Sequence, residues 1–373
     1  MAAAKVQDGA LEERLIALTA KLMLVPGLAG HEDRVRRAIA AEIAGLGRTA
    51  TDRLGNLMLT LEGDTGLPSV MLFAHMDQLG LIVRKIEPSG LLRVERVGGV
   101  PERALAAQEV LLQIGEGRDL PAVIANKSHH ATSPDEKYRV VPYQELYIDA
   151  GFADAGEALA AGVDVGTPIV YAPRAVELAG GRLAGTSVDD RAGCAVVIEA
   201  AQALARLKRR PTVHIVFSVQ EEFNLRGVVP AVEALKPDIA IQIDLVLATD
   251  TPDMAARGDI KLGGGPAMSL YSFHGRGTLN GLIPHPALVR LFSETAKIER
   301  MALQRSAHVG ALTETSYVQL MHHGIASIDL GFPARYTHSA LEVCDAGDLA
   351  ALTRLLVAAI GRIDSAFTLD RDG

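Results

Sequence analysis

The chain contains no tryptophan, and aromatic residues make up only 4% of its 373 residues. That removes the stacking platforms on which single-stranded nucleic acid is held. Basic residues are in deficit, 37 Lys and Arg against 45 Asp and Glu, so the formal net charge of −8 leaves no surplus to neutralise phosphates. The one short basic cluster, Lys208-Arg209-Arg210, falls at the expected C-terminal end of a helix, where cations suit the helix dipole. No nucleic-acid partner is expected. Two cysteines, Cys194 and Cys344, are too few for a disulfide framework and fit a reducing compartment. The opening MAAAKVQDG lacks the apolar core of a secretory signal, and the apolar run from Leu15 to Leu28 is broken by Lys21 and Pro26. A cytoplasmic protein with no membrane span is expected.

What remains is aliphatic. Hydrophobic residues reach 49%, dominated by Ala, Leu and Val, and the length predicts a large core and two domains. Leu11, Leu15, Leu18 and Leu22 recur at helical spacing until Pro26-Gly27, and a second helix is expected from His31-Glu32-Asp33 to Gly45 or Gly47. Buried strands are read at Ser69–Ala74, Val213–Val219, Pro237–Asp244 and in ASIDLGF, with helices in HPALVRLFSETAKIERMAL, in ALTETSYVQLMHHG and at the C-terminus. Between Gly80 and about Gly166 the texture changes to short alternating strands, beginning with a hairpin around Glu87-Pro88-Ser89-Gly90. The fold class expected is therefore α/β, with a mixed sheet in a discontinuous catalytic domain (residues 1–79 and 167–373) and a small β-rich domain inserted at 80–166. KLGGGPAM lacks the Lys-Ser/Thr of a phosphate loop, and the loop pair His129-His130 is left out of the site.

Polar chemistry collects where the apolar strands end. In open α/β sheets that is where ligands bind. The strand Val213–Val219 runs into Glu221-Glu222, two carboxylates costly to place there unless something positive awaits them. The pair reads either as a general base beside a metal ligand or as a solvated pair opening a helix. His75 and Asp77 follow the strand Ser69–Ala74 two residues apart, a spacing that shares a face, so His75 could bind a metal while Asp77 orients it or a neighbour. Asp189-Asp190 precedes an Ala- and Val-rich helix; one acid suffices to cap it, which leaves the other for a metal. Asp244 and His338 complete a set of two imidazoles and several carboxylates, a donor set suited to Zn²⁺ or Co²⁺. Such a set also suits paired ions about 3.5–4 Å apart.

The segments PGLAGHE (26–32), DRLGNL (52–57), AHMDQLG (74–80), DDRAG (189–193), QEEFNLRG (220–227), IDLVLATDTP (243–252) and RYTHSALEV (335–343) carry a resemblance along nearly the whole chain. In order and spacing they resemble the co-catalytic metallo-aminopeptidases that assemble into tetrahedral (TET-type) particles, also labelled glutamyl or deblocking aminopeptidases. The resemblance implies Asp189 as a carboxylate bridging two divalent ions, His75 and Asp244 completing one site, and Glu222 and His338 the other. It implies Glu221 as general base, supported by Asp77, peptide substrates with a free N-terminus, and an inserted dimerisation domain. It also implies a homo-oligomer built from dimers, a dodecamer in the related particle. Two positions depart from the family's pattern: Gln78 where Glu is usual, and Glu314 where a Gly-Thr-Asp segment is usual. They bear on substrate preference and tuning; YSFHGRGTLNGLIPHP matches the family poorly, and no specificity residue is placed in it.

Three rivals share these residues. An N-acyl amino acid deacylase, or another dimetal amidohydrolase, would use the same ligands but ignore free-amine substrates. A glycosidase needs two carboxylates around an oxocarbenium centre, not a dimetal water. A metal-stabilised scaffold would be expected to lose the base, whereas Glu221 is present beside Glu222.

Overall fold

A computed structural model describes residues 2–274 and 281–371, the side chains of 2–8 excepted. The alternation of Val70–His75 explains its place at the centre. Leu72 and Ala74 enter one core cluster while Met71 and Phe73 enter another on the opposite face. Four parallel strands lie side by side in the order Val213–Ser218, Val70–His75, Ile239–Leu247 and Ala326–Ala334. Antiparallel strands extend them into a nine-stranded mixed sheet, with Leu57–Leu61 and Arg48–Thr51 on one side and Ala267–Phe273 and Gly281–Leu282 on the other. Gln304–Val309 pairs with Ala267–Phe273.

The helix Val188–Leu204 is apolar almost all round and is buried under this sheet between Ala2–Met23 and Ala346–Ile360. Val229–Leu235 packs on the other face through Ala231 and Val232. A separate three-stranded sheet joins Ala175–Leu178, Arg182–Gly185 and Glu342–Asp345.

The strands Gly80–Ile86, Leu92–Val97, Glu109–Leu112, Leu120–Ile124, Ile148–Asp149 and Pro168–Tyr171 close into a barrel around Val83, Val94, Leu112, Ile148 and Ile169. Closure shelters strand edges that an open sheet would leave exposed. Its first hairpin turns at Gly90, where φ is +82° and a Cβ would lie 2.6 Å from the Phe152 carbonyl. The polar stretch 126–147 is loop, with one short turn at His129–Ala131.

Several elements are shorter than the periodicity predicts. The helix expected in ALTETSYVQLMHHG covers only Thr315–Val318, because its start is tied elsewhere: Glu314 accepts from Ser218 and Val228, and the Thr315 N–H donates to Gln242. Pro286–Ile298 stops before Arg300, whose φ is +56°. The second helix is Asp33–Glu42. In KLGGGPAM the Asp348 carboxylate accepts the N–H groups of Gly263 and Gly265, at 2.8 and 2.7 Å. No helix of the described residues is long and apolar enough to cross a membrane.

Candidate metal centre

The parallel register brings the strand ends level. Ser218 pairs with His75, so Asp77 and the Glu221-Glu222 pair leave the sheet side by side. Asp77 accepts the backbone N–H of Glu221 on one carboxylate oxygen and that of Glu222 on the other, both at 2.9 Å. Gln220 takes a positive φ of 55°, which ends the strand and lets two consecutive glutamates face one site. The His75 Nδ1–H donates to the Asp77 carbonyl at 3.1 Å, which aims Nε2 across the gap to Asp189 Oδ1 at 3.0 Å.

Asp189 and Asp190 divide the two roles open to them. Asp190 accepts the Gly193 N–H at 3.1 Å, as a cap does, and Gly193 has no room for a side chain, since a Cβ would sit 2.2 Å from that carboxylate. Asp189 keeps a non-helical backbone and turns its carboxylate toward the strand ends. Its two oxygens face different histidines: Oδ1 meets His75, and Oδ2 lies 3.5 Å from His338 Nε2.

All seven residues singled out in the sequence meet here. Candidate ligand atoms of His75, Glu221 and Asp244 lie within 4.8 Å of one another, and so do those of Asp189, Glu222 and His338. Glu221, expected as a base, thus stands within ligand range of His75 and Asp244. Glu222 Oε1 is buried with no hydrogen-bond partner among the described residues, although His338 Nε2 is 3.8 Å away. Burial, reinforced by Asp189, holds the Asp244 carboxyl well above its ordinary range. Burial also raises Glu221 strongly, against the pull of His75, and lifts Glu222 to about 7. The Glu222 carboxylate lifts His338 to about 9. Burial opposes the charge on Asp189, but the hydrogen bond from His75, together with the charges of His75 and His338, outweighs it and holds that carboxyl low. Crowded acids, an orphaned oxygen and two imidazoles fit a pair of divalent cations.

Sequence reasoning missed three supports. Glu342 accepts the N–H of Asp189 at 2.9 Å and of His338 at 2.6 Å, fixing both ends of one candidate site. Its only signal was its place inside RYTHSALEV. Glu32 accepts the N–H of Gly30 and of Gln220, tying the PGLAGHE turn to the strand end. Arg191 is fully buried, and Gln78 Oε1 accepts from its Nη2 at 3.4 Å and from the Gly27 N–H at 3.0 Å. Asp250 is taken up by Arg335 at 2.7 Å, and His129 and His130 belong to the barrel loop. The site opens into a cavity of about 690 Å³ that runs between Ala267–Phe273 and the loop 310–313.

The profile of the M42 glutamyl aminopeptidases matches residues 55–355. A putative aminopeptidase SgcX of Escherichia coli K12 is 38% identical over 348 residues, covering 92% of this chain and 93% of its own length. Among solved structures, aminopeptidase APDkam598 from the archaeon Desulfurococcus kamchatkensis superposes with a TM-score of 0.87 at 32% identity, covering 94% of this chain and 95% of that one. The TET1 peptidase of Pyrococcus horikoshii, which can assemble into a tetrahedron or a large octahedral shell, does so at 0.83 and 28%, covering 93% and 99%. The chain is a metallopeptidase and belongs to the M42 glutamyl aminopeptidase family.

Proposed function

We propose that the chain removes the N-terminal residue of peptides by activating water at a two-metal centre. The reading rests on one observation above the others: the Asp189 carboxylate has one oxygen turned to each imidazole, the disposition a shared ligand needs. His75 and Asp244 would hold one ion, Glu222 and His338 the other, and Asp189 both. Zinc or cobalt suits this donor set. Such ions, when bound, supply Lewis-acid polarisation of the scissile carbonyl and bring the pKa of water toward about 7.

The protein's own part is proton handling and positioning. Glu221 takes the proton from the attacking water and returns it to the leaving amine. Its burial and acidic neighbours raise its affinity for a proton, which suits a group that must accept one and then give it up. Asp77 holds Glu221 and Glu222 in place through their backbone N–H groups, and Glu342 does the same for Asp189 and His338.

The barrel expected at 80–166, which takes its last strand from Pro168–Tyr171, is proposed as the dimerisation domain, and the dimer as the unit of a larger assembly, a dodecamer. The shell formed by the related TET1 peptidase supports the larger assembly. The cytoplasm is the proposed location.

Glu221→Gln tests the base. It should retain two metal ions per subunit and lose a hundredfold or more of its turnover of aminoacyl anilides, as expected for loss of general-base catalysis. Turnover near the wild-type rate with metal bound would refute the assignment.

A further inference from the structure

The cavity continues beyond the seven site residues into a pocket of a different kind. Ser269 and Ser272 line it, both only 3% exposed, and neither hydroxyl has a hydrogen-bond partner among the described residues. Residues three apart on a regular strand point to opposite faces. Here the register slips between Ser269 and Tyr271 against Gln304–Val309, and the bulge lets both serines line the same cavity. Two buried, unpaired hydroxyls in one pocket await a polar group.

Asp329 supplies the charge. It is 5% exposed, lines the same cavity and accepts the hydroxyls of Thr313, at 2.7 Å, and Thr315 on separate oxygens. Burial raises its carboxyl to about 6, which leaves it ionised at neutral pH. It pairs with Gln242 while Gly331 pairs with Asp244, so Asp329 lies two residues below the level of Asp244. Two strand residues span roughly 7 Å, a span the four-carbon stem of lysine is long enough to cross. Val246, Leu247 and Leu312 give the cavity an aliphatic lining. No Lys or Arg lines it among the described residues. Burial, then the charge of Arg257, lowers the pKa of His308, so that imidazole offers no opposing charge, and His338, which also lines the cavity, faces Glu222 and Asp189 at the candidate metal centre.

We propose that this pocket selects a basic N-terminal side chain, lysyl above all, with Asp329 as counter-ion and the Ser269 and Ser272 hydroxyls as the remaining acceptors. The inference rests on the aminopeptidase reading. A lysine ammonium has three donors and no acceptor, and the pocket offers three acceptors. A glutamyl side chain would instead meet a buried like charge.

The test is a panel of lysyl, arginyl, leucyl, glutaminyl and glutamyl anilides on the metal-loaded full chain, with calorimetric binding of lysinamide and leucinamide beside it. Lysyl kcat/KM should exceed leucyl and glutamyl at least tenfold, and lysinamide should bind more tightly than leucinamide. Asp329→Asn should cut the lysyl-to-leucyl ratio at least tenfold, chiefly through KM. Paired Ser269→Ala and Ser272→Ala should cut it at least threefold, and these decide the matter if Asp329→Asn does not fold. A wild-type preference for leucyl or glutamyl substrates overturns the proposal, as does a ratio unchanged in the variants. Cleavage of anilides without lysyl preference removes this inference alone. No cleavage of any anilide removes the aminopeptidase reading and this one with it.

Discussion

Replacing Asp77 by Asn isolates the clamp on which the candidate base and one candidate ligand depend. The carboxylate is fully buried and receives one backbone N–H on each oxygen, from Glu221 and from Glu222, both at 2.9 Å. An asparagine offers one acceptor oxygen and an amino group, so one N–H would face a donor and lose its partner. A charge-assisted bond contributes roughly 1.5–3 kcal/mol, and a stranded buried donor costs about 1–3 kcal/mol. These overlap, and the expected loss is about 2–4 kcal/mol. With an unfolding entropy of about 2.1 cal/mol/K per residue over 373 residues, that corresponds to a Tm lowered by about 3–5 °C. Circular dichroism is the natural probe, because a chain without tryptophan gives little intrinsic fluorescence. The loss should persist in chelator, since the clamp is made by backbone and carboxylate alone. In the reloaded protein, metal affinity should fall about 10–100-fold and turnover with it, as is usual when the group orienting a ligand is removed. An Asp77→Asn protein with unchanged Tm, full metal affinity and wild-type turnover would refute the clamp.

Two further outcomes follow from the same geometry. Glu314 is raised to about 7 by burial, although Ser218 and Val228 donate to it. For an acid raised in the folded state, the penalty is absent below about 4.5, grows as pH rises and is complete above about 7. Glu314→Gln, whose amide can serve both partners, should therefore match wild type near pH 4.5 and exceed it at pH 8, by on the order of 2–3 kcal/mol. Denaturant titrations at the two pH values would show it, and a difference independent of pH would defeat the reasoning. Chelation should lower Tm and zinc or cobalt should restore it. An ion at a hundred times its Kd adds about 2.7 kcal/mol, so each site is worth about 3–4 °C in a chain of this length. A Tm indifferent to both chelator and ion would remove the metal centre.

The parallel core, and the residues that gather at its strand ends, were legible because each rests on a local pattern. Apolar strands such as Val70–His75 and Val213–Ser218 are short, aliphatic and followed at once by acids or imidazole. What the sequence hid is long-range. The Asp77 clamp joins residues 144 apart, and Glu342 reaches 153 residues back to the Asp189 N–H. No window of residues contains either bond. The helix predicted through Leu320 failed for the same reason: its periodicity was sound, but Glu314 and Thr315 are committed to partners on other elements. Ser269 and Ser272 were equally hidden: Ser272 falls in YSFHGRGTLNGLIPHP, where no specificity residue is expected, and a strand pattern puts the two on opposite faces until the bulge reunites them.

Charge also separates this site from an ordinary cluster of capping acids. Asp77, Asp189, Asp190, Glu221, Glu222, Asp244 and Glu342 bury seven carboxylates around two imidazoles and the Arg191 guanidinium. Capping acids sit at a surface where water shares the load; these do not. Burial raises the carboxyls of Glu221, Glu222, Asp244, Asp190 and Glu342, so the fold holds them closer to neutrality than solution would. These acids outnumber the positive groups beside them, an imbalance that divalent cations relieve. Arg191 cannot be the main counterweight: its Nε and Nη1 have no partners, and it meets an amide at Gln78 where a carboxylate would have bound it. Burial even pushes its own pKa down to about 10. A fold that concentrates acids this deeply without a matching set of cations is arranged around positive charge that comes from outside the chain.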